Sequence, residues 1–297
     1  MTVVAGTGMV RRLLFVVRGE CAMAREIPTT AAPSTPVTPD ADTRAQRERE
    51  HFNARSSAHH GPLVMAAANI RRYDRPAADA MYPLEYAFHL LGPLHGRCVL
   101  NLGCGEGFDA VILAALGARV VAIDISDAAV GLTQARAAAN RVGDRIVALV
   151  GDASALPVAT ASVDAVLAAA VMHHVDMPSA AAEIARVLRP GSLVVFREPL
   201  AGPRLVQMVK RMLPLPEAAE NSEDERPLSF EDVDRISAAI GRIEARRAFG
   251  LTSRVVTRIG LHGRVKGVYR IDRYLLQRIP RLAVLASPLV WSVRKAA

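Results

Sequence analysis

From Arg97 to Leu200 the chain alternates short apolar runs with stretches whose apolar residues recur at helical spacing, the pattern of β-α-β units in a parallel sheet. The runs predict strands at Cys98–Leu102, Val120–Asp124, Ile146–Val150, Ala165–Ala169 and Leu193–Arg197. Between them the spacing predicts helices over Phe108–Leu116, stopped by Gly117, over Asp127–Arg141 behind a Ser126 cap, and over Ser179–Leu188. Right-handed crossovers gather the carboxyl ends of such strands on one edge, so Gly103, Asp124, Asp152, His173 and Glu198 are expected to meet there.

On the amino-terminal side the pattern fades. The short apolar run Leu13–Val17 is cut off by Arg18, too short for a signal-peptide core or a membrane span, and Met23 reads as a natural start, with residues 1–22 then a mis-called leader. Pro28, Pro33, Pro36 and Pro39 among Thr, Ala and Ser make residues up to 43 an expected flexible leader. Two helices, Arg44–Ser56 and Ala77–Leu91, are predicted within a lid segment over 44–92, ahead of a core over 93–200. Beyond Leu200, residues 201–297 read as further lid and strand material. It holds a helical stripe at Arg204–Leu213, an acidic link at Glu217–Glu225 and a helix at Phe230–Ile240 with Ser229 and Asp232 placed as a capping box. Strands near Ile243–Phe249 and Leu289–Val293 flank a basic helical stretch around Asp272–Leu285.

The first predicted strand breaks into Val-Leu-Asn-Leu-Gly-Cys-Gly-Glu-Gly (Val99–Gly107), and the second closes on Asp124. Glycines let backbone amides approach a ligand, and a carboxylate at a strand end can accept both hydroxyls of a ribose. Phe108 follows Gly107, so the G-x-G-x-x-G of dinucleotide sites is not formed, and no G-x-x-x-x-G-K-[ST] phosphate loop occurs. The G-x-G-x-G run resembles motif I of the class I S-adenosylmethionine-dependent methyltransferases. Gly151-Asp152-Ala153, Ala155-Leu156-Pro157 with Ser162-Val163-Asp164, and Arg186–Gly191 follow in that family's order. The resemblance is to its bacterial small-molecule, type 11-like members and covers about Arg72–Leu200. It implies an α/β, Rossmann-like doubly wound fold, a mostly parallel seven-stranded sheet in the order 3-2-1-4-5-7-6 with helical lid elements.

The same resemblance implies S-adenosyl-L-methionine as cofactor, held by Asn101, Gly103, Cys104, Gly105, Gly107, Asp124, Ile125, Asp152 and Ala153. Asn101 stands where the family usually has an acid. An amide oxygen can still accept a hydrogen bond from the cofactor's ammonium, without the charge–charge attraction. A sulfonium methyl is already activated, so the protein's main task is to hold the acceptor in line with it. Oxygen acceptors also gain from a base that titrates near neutrality. His173 and His174, just past the fourth strand, and Glu198, past the fifth, are the catalytic candidates. Tyr73, Tyr82, Met208 and Met212 are candidate lid side chains, although a Met stripe serves equally as core.

Composition narrows the alternatives. Three cysteines without C-x-x-C spacing imply neither a structural zinc nor a disulfide framework and fit a reducing cytoplasm; no metal site is expected. Net charge is +8, and the segment from Ala245 onward carries twelve Arg and Lys against one acid, Asp272. Such asymmetry suits an anionic partner as well as a plain solvated face. Base-modifying N/D-P-P-Y and P-C motifs are absent and aromatics are 4%, which argues against nucleic acid. Arg273, Arg278 and Arg281 interleave with Leu275, Leu276, Ile279 and Leu282, a pattern open to peripheral membrane contact. The reading is methyl transfer to a small-molecule acceptor, oxygen preferred over carbon or nitrogen; the alternatives are a membrane-surface methyltransferase acting on a lipid or quinone, an RNA methyltransferase using the basic tail, and a non-catalytic cofactor-binding regulator. The sequence carries no signal for oligomeric state.

Overall fold

A computed structural model of the chain describes residues 39–202, 226–252 and 267–297. Its seven strands are β1 (Cys98–Leu102), β2 (Arg119–Asp124), β3 (Ile146–Val150), β4 (Val163–Ala169), β5 (Leu188–Glu198), β6 (Gly241–Ala248) and β7 (Leu289–Lys295). They form one sheet in the order β3-β2-β1-β4-β5-β7-β6, parallel except that β7 runs antiparallel to β5 and β6. This is the Rossmann-like order that the resemblance implied.

The central strand shows why the sheet needs two covering layers. All five residues of β1 are buried, as expected for a parallel strand with helices on both faces. Cys98, Leu100 and Leu102 pack with α6 (Met177–Val187) and α7 (Phe230–Ile240) through residues such as Ile184, Val233 and Ile236. Val99 packs on the other face with α3 (Pro83–Leu91) and α4 (Phe108–Ala115), against Phe88, Leu91, Val111 and Leu113. Trp291 of β7 stacks on Phe196 of β5, ring centroids 4.7 Å apart, and both rings are fully buried. The remaining helices are α1 (Pro39–Ser57), α2 (Ala67–Arg71), α5 (Asp127–Ala139) and α8 (Val268–Arg278). No helix of the described residues is long and apolar enough to cross a membrane.

Local chemistry explains where elements start. Ser126 caps α5 by accepting the Ala129 N–H at 3.0 Å, and Ser229 and Asp232 form the reciprocal capping box of α7. Most boundaries fall within two residues of the sequence reading, and four depart from it further. The first helix begins at Pro39 rather than Arg44. The Ala77–Leu91 helix begins at Pro83, because proline holds Tyr82 in an extended conformation and suits the first helical turn. β5 begins at Leu188, pairing with Val163 before an irregularity whose Gly191 has φ +72°. The basic stretch divides at Ile279 into α8 and a short 3-10 helix, Pro280–Leu285. Cys98 is disulfide-bonded, where the cysteine pattern implied no disulfide framework; Cys104 is free and buried. The expected leader, the Arg204–Leu213 stripe with Met208 and Met212, and the Glu217–Glu225 link also fall outside the described residues.

Candidate active site

The loop Gly103–Gly107 turns the chain from β1 into α4, and its three glycines do different work. A Cβ on Gly103 would lie 2.1 Å from Val171 Cγ2, and one on Gly107 would lie 2.7 Å from the Thr133 backbone. These two positions are glycine because the protein itself closes on them. Gly105, at φ +49°, would meet nothing within 4 Å. No protein atom occupies that side of the loop among the described residues. Thr133 Oγ1 donates to the Gly105 carbonyl at 2.9 Å, which pins the loop to α5.

Asp124, at the end of β2, accepts the Gly105 N–H at 2.8 Å and the Ser126 N–H at 3.0 Å, one on each carboxylate oxygen. Burial pushes its pKa up; those amides, that of Ile125 and the charge of nearby His174 oppose the rise. Each oxygen keeps a lone pair for a hydroxyl donor. Asn101 is 1% exposed, and its Oδ1 has no partner, an orphaned acceptor next to the loop. The Cys104 thiol is pushed up to about 12 by burial, so it contributes packing rather than a nucleophile. After β3, Asp152 accepts the Ser154 N–H at 2.8 Å, Ala153 is buried, and Ile125 is half-buried beside Asp124.

The β4 end carries the histidines. Glu198, fully buried beneath them, accepts the Val171 and Met172 N–H groups at 2.8 and 3.1 Å. Its other oxygen lies 2.6 Å from His173 Nδ1. Glu198 therefore holds the loop from below instead of facing the cleft. His174 lies against His173, ring centroids 4.0 Å apart, and its Nδ1 is 3.1 Å from Oε2 of Glu48, itself only 3% exposed.

Glu48 belongs to α1, which crosses the carboxyl edge of the sheet as a strap. Arg44 donates to the His173 carbonyl at 3.2 Å, and Phe52 meets the His174 ring edge-on at 5.1 Å. At its far end Asn53 donates to Asp127 and accepts from Ser126 Oγ and the Ala128 N–H, fastening α1 to the start of α5. Sequence reasoning placed these α1 residues in a helix of the lid segment but singled out none of them. The signal present was the i, i+4, i+8 row Arg44, Glu48, Phe52, which shares one helix face. Of the expected lid tyrosines, Tyr73 is buried against Phe88 and Phe108, and Tyr82 packs on Tyr269 of α8. On the α4 side stand Asp109, whose pKa burial raises against the charge of Arg197, and half-buried Arg197, whose Nε has no partner.

Residues 100–196 match the family model for a methyltransferase domain. A probable S-adenosylmethionine-dependent methyltransferase of Mycolicibacterium smegmatis is 38% identical over 105 residues, 35% of this chain and 38% of that one. The matched segment is a class I S-adenosylmethionine-dependent methyltransferase domain. A malonyl-[acyl-carrier protein] O-methyltransferase of Serratia marcescens is 32% identical over 114 residues, 38% of this chain and 42% of that one. The chain thus aligns with about two fifths of these curated relatives' length. A crystal structure of geranyl diphosphate C-methyltransferase from Streptomyces coelicolor shares the fold, with TM-score 0.58 and 16% identity over 90% of this chain and all of that one. The residues present fit the methyltransferase cofactor. Asp124 offers lone pairs to a ribose diol, Asn101 Oδ1 an acceptor for an ammonium, and the open side of Gly105 a bed without side chains.

Proposed function

We propose that the chain transfers a methyl group from S-adenosylmethionine to an oxygen of a small-molecule acceptor, with His174 as general base. The observation that carries this is the lodging of His174 between Glu48 and His173 on the edge that holds Asp124. When bound, S-adenosylmethionine supplies a methyl group activated by its sulfonium. Glu48 beside Nδ1 favours the proton on that nitrogen, which leaves Nε2 as the basic one. His174 then takes the acceptor hydroxyl's proton as its oxygen becomes the nucleophile. Glu198 fixes the loop carrying both histidines, and α1 with Phe52 shields the pair from water. The name of the Serratia relative supports oxygen as acceptor, and that of the Streptomyces neighbour keeps carbon as the competing choice.

Calorimetry with S-adenosylmethionine and NAD side by side, followed by an acceptor screen read by mass, tests the proposal. Asp124→Ala should abolish cofactor binding. His174→Ala should spare binding and lower turnover roughly 100-fold. Binding of NAD in place of S-adenosylmethionine would overturn the cofactor assignment, and undiminished turnover in His174→Ala would overturn the base.

A further inference from the structure

The site just described makes no use of the basic excess after Ala245. The topology says where that excess is displayed. β7 enters the sheet from the site edge, since its first residue, Leu289, pairs with Glu198. The 3-10 helix Pro280–Leu285 therefore leads into that edge, and Tyr269 of α8 packs on Tyr82 at the start of α3, 4.8 Å between centroids. Nine large apolar side chains are exposed among the described residues, and five lie on this one run: Ile271, Tyr274, Ile279, Val284 and Leu285. Single exposed apolar groups are ordinary, but five on one run of fifteen residues, two of them on adjacent turns of α8, are a concentration that suits an interaction surface.

Arg270, Arg278 and Arg281 are exposed within the same run. Its one acid, Asp272, is 3% exposed and spent on accepting the N–H and Oγ of Thr252. The acids on the neighbouring wall are also engaged, Asp79 with Arg273 at 2.8 Å and Glu85 with Arg72. The strip thus presents guanidinium groups among aliphatic tips with no opposing charge of its own.

We propose that the strip Arg270–Leu285 docks the protein on an anionic lipid bilayer, with the mouth of the cleft toward the lipid. Aliphatic tips enter the acyl boundary while arginines stay at the phosphates, and the two contributions together give stable yet reversible attachment. Four of the five exposed apolar groups are aliphatic, which suits lipid and not the stacking of bases. Flotation of the full chain with vesicles of phosphatidylcholine, with and without about one third phosphatidylglycerol, tests the proposal. Binding is expected only to the anionic vesicles, weakening as salt shortens the reach of charge. Arg278→Glu with Arg281→Glu should weaken binding more than about tenfold. Ile279→Asp with Leu285→Asp should also weaken it, whereas Val64→Asp, exposed outside the strip, should leave it unchanged. Unaltered thermal melts would show that the variants fold. No binding to anionic vesicles, equal binding of the strip variants, or strip-dependent retention of a short RNA duplex without vesicle binding would each overturn it.

Discussion

Two histidine–carboxylate pairs lie side by side in this molecule and are built in opposite ways. Glu198 and His173 both belong to the sheet's own strand ends, and Glu198 also ties down two backbone amides in a dry setting. Removing the carboxylate leaves buried donors without that acceptor, and removing the imidazole leaves a buried carboxylate oxygen without that partner. Glu48 and His174 meet only because α1 lies across the edge, held by Arg44 at one end and Asn53 at the other. The first pair is part of the fold. The second depends on a docked helix, which makes it the one suited to assembly around a bound ligand.

That contrast can be broken at four points. Glu198→Ala should cost stability most, roughly 3–5 kcal/mol, because it strands two amides and an imidazole in the core. Urea unfolding would show it; a loss under about 1 kcal/mol would make the pair dispensable to the fold. Glu48→Gln should leave the unfolding midpoint nearly unchanged and lower kcat by about 10- to 100-fold, with the KM for S-adenosylmethionine little altered and Glu48→Asp partly restoring the rate. Asn53→Ala should loosen α1 by about 1 kcal/mol, weakening cofactor binding severalfold and speeding amide exchange along α1. The smallest effect concerns Asp109. Burial raises its folded pKa above the unfolded value, so the folded state is favoured at low pH and loses that advantage as pH rises through the raised pKa. Asp109→Asn should remove this dependence and lift Tm at neutral pH by about 2 °C.

The sheet was legible because its signals are local. β1 and β3 follow from apolar runs bounded by turns, and the capping box at Ser229 follows from two side chains spaced to reach each other's amides. β5 was read to begin five residues late because Arg189-Pro190-Gly191 looks like a turn, whereas the strand absorbs it as an irregularity against β4. Asp124 and the glycine loop were readable for the same local reason. Glu48 was not, since a carboxylate on a charged helix looks the same whether water or an imidazole faces it. Its burial comes from the packing of α1 across the strand ends; the spacing within α1 groups Glu48 with Arg44 and Phe52 on one face but does not say what covers that face. Glu198 was found, but its direction was not. Alternation along β5 sends it to the face opposite Arg197, toward the α6 layer, and under the histidine loop.

The division of labour among the three glycines bears on how such motifs are used to infer ancestry and activity. Gly103 and Gly107 answer to neighbours within the same polypeptide, Val171 and Thr133, so a descendant that had abandoned catalysis would still be obliged to keep them. Gly105 meets no neighbour, and its left-handed backbone, φ +49°, is what favours glycine there. A fingerprint of this kind therefore records the shape of the backbone at every one of its glycines, and retaining it is a statement about folding before it is one about activity.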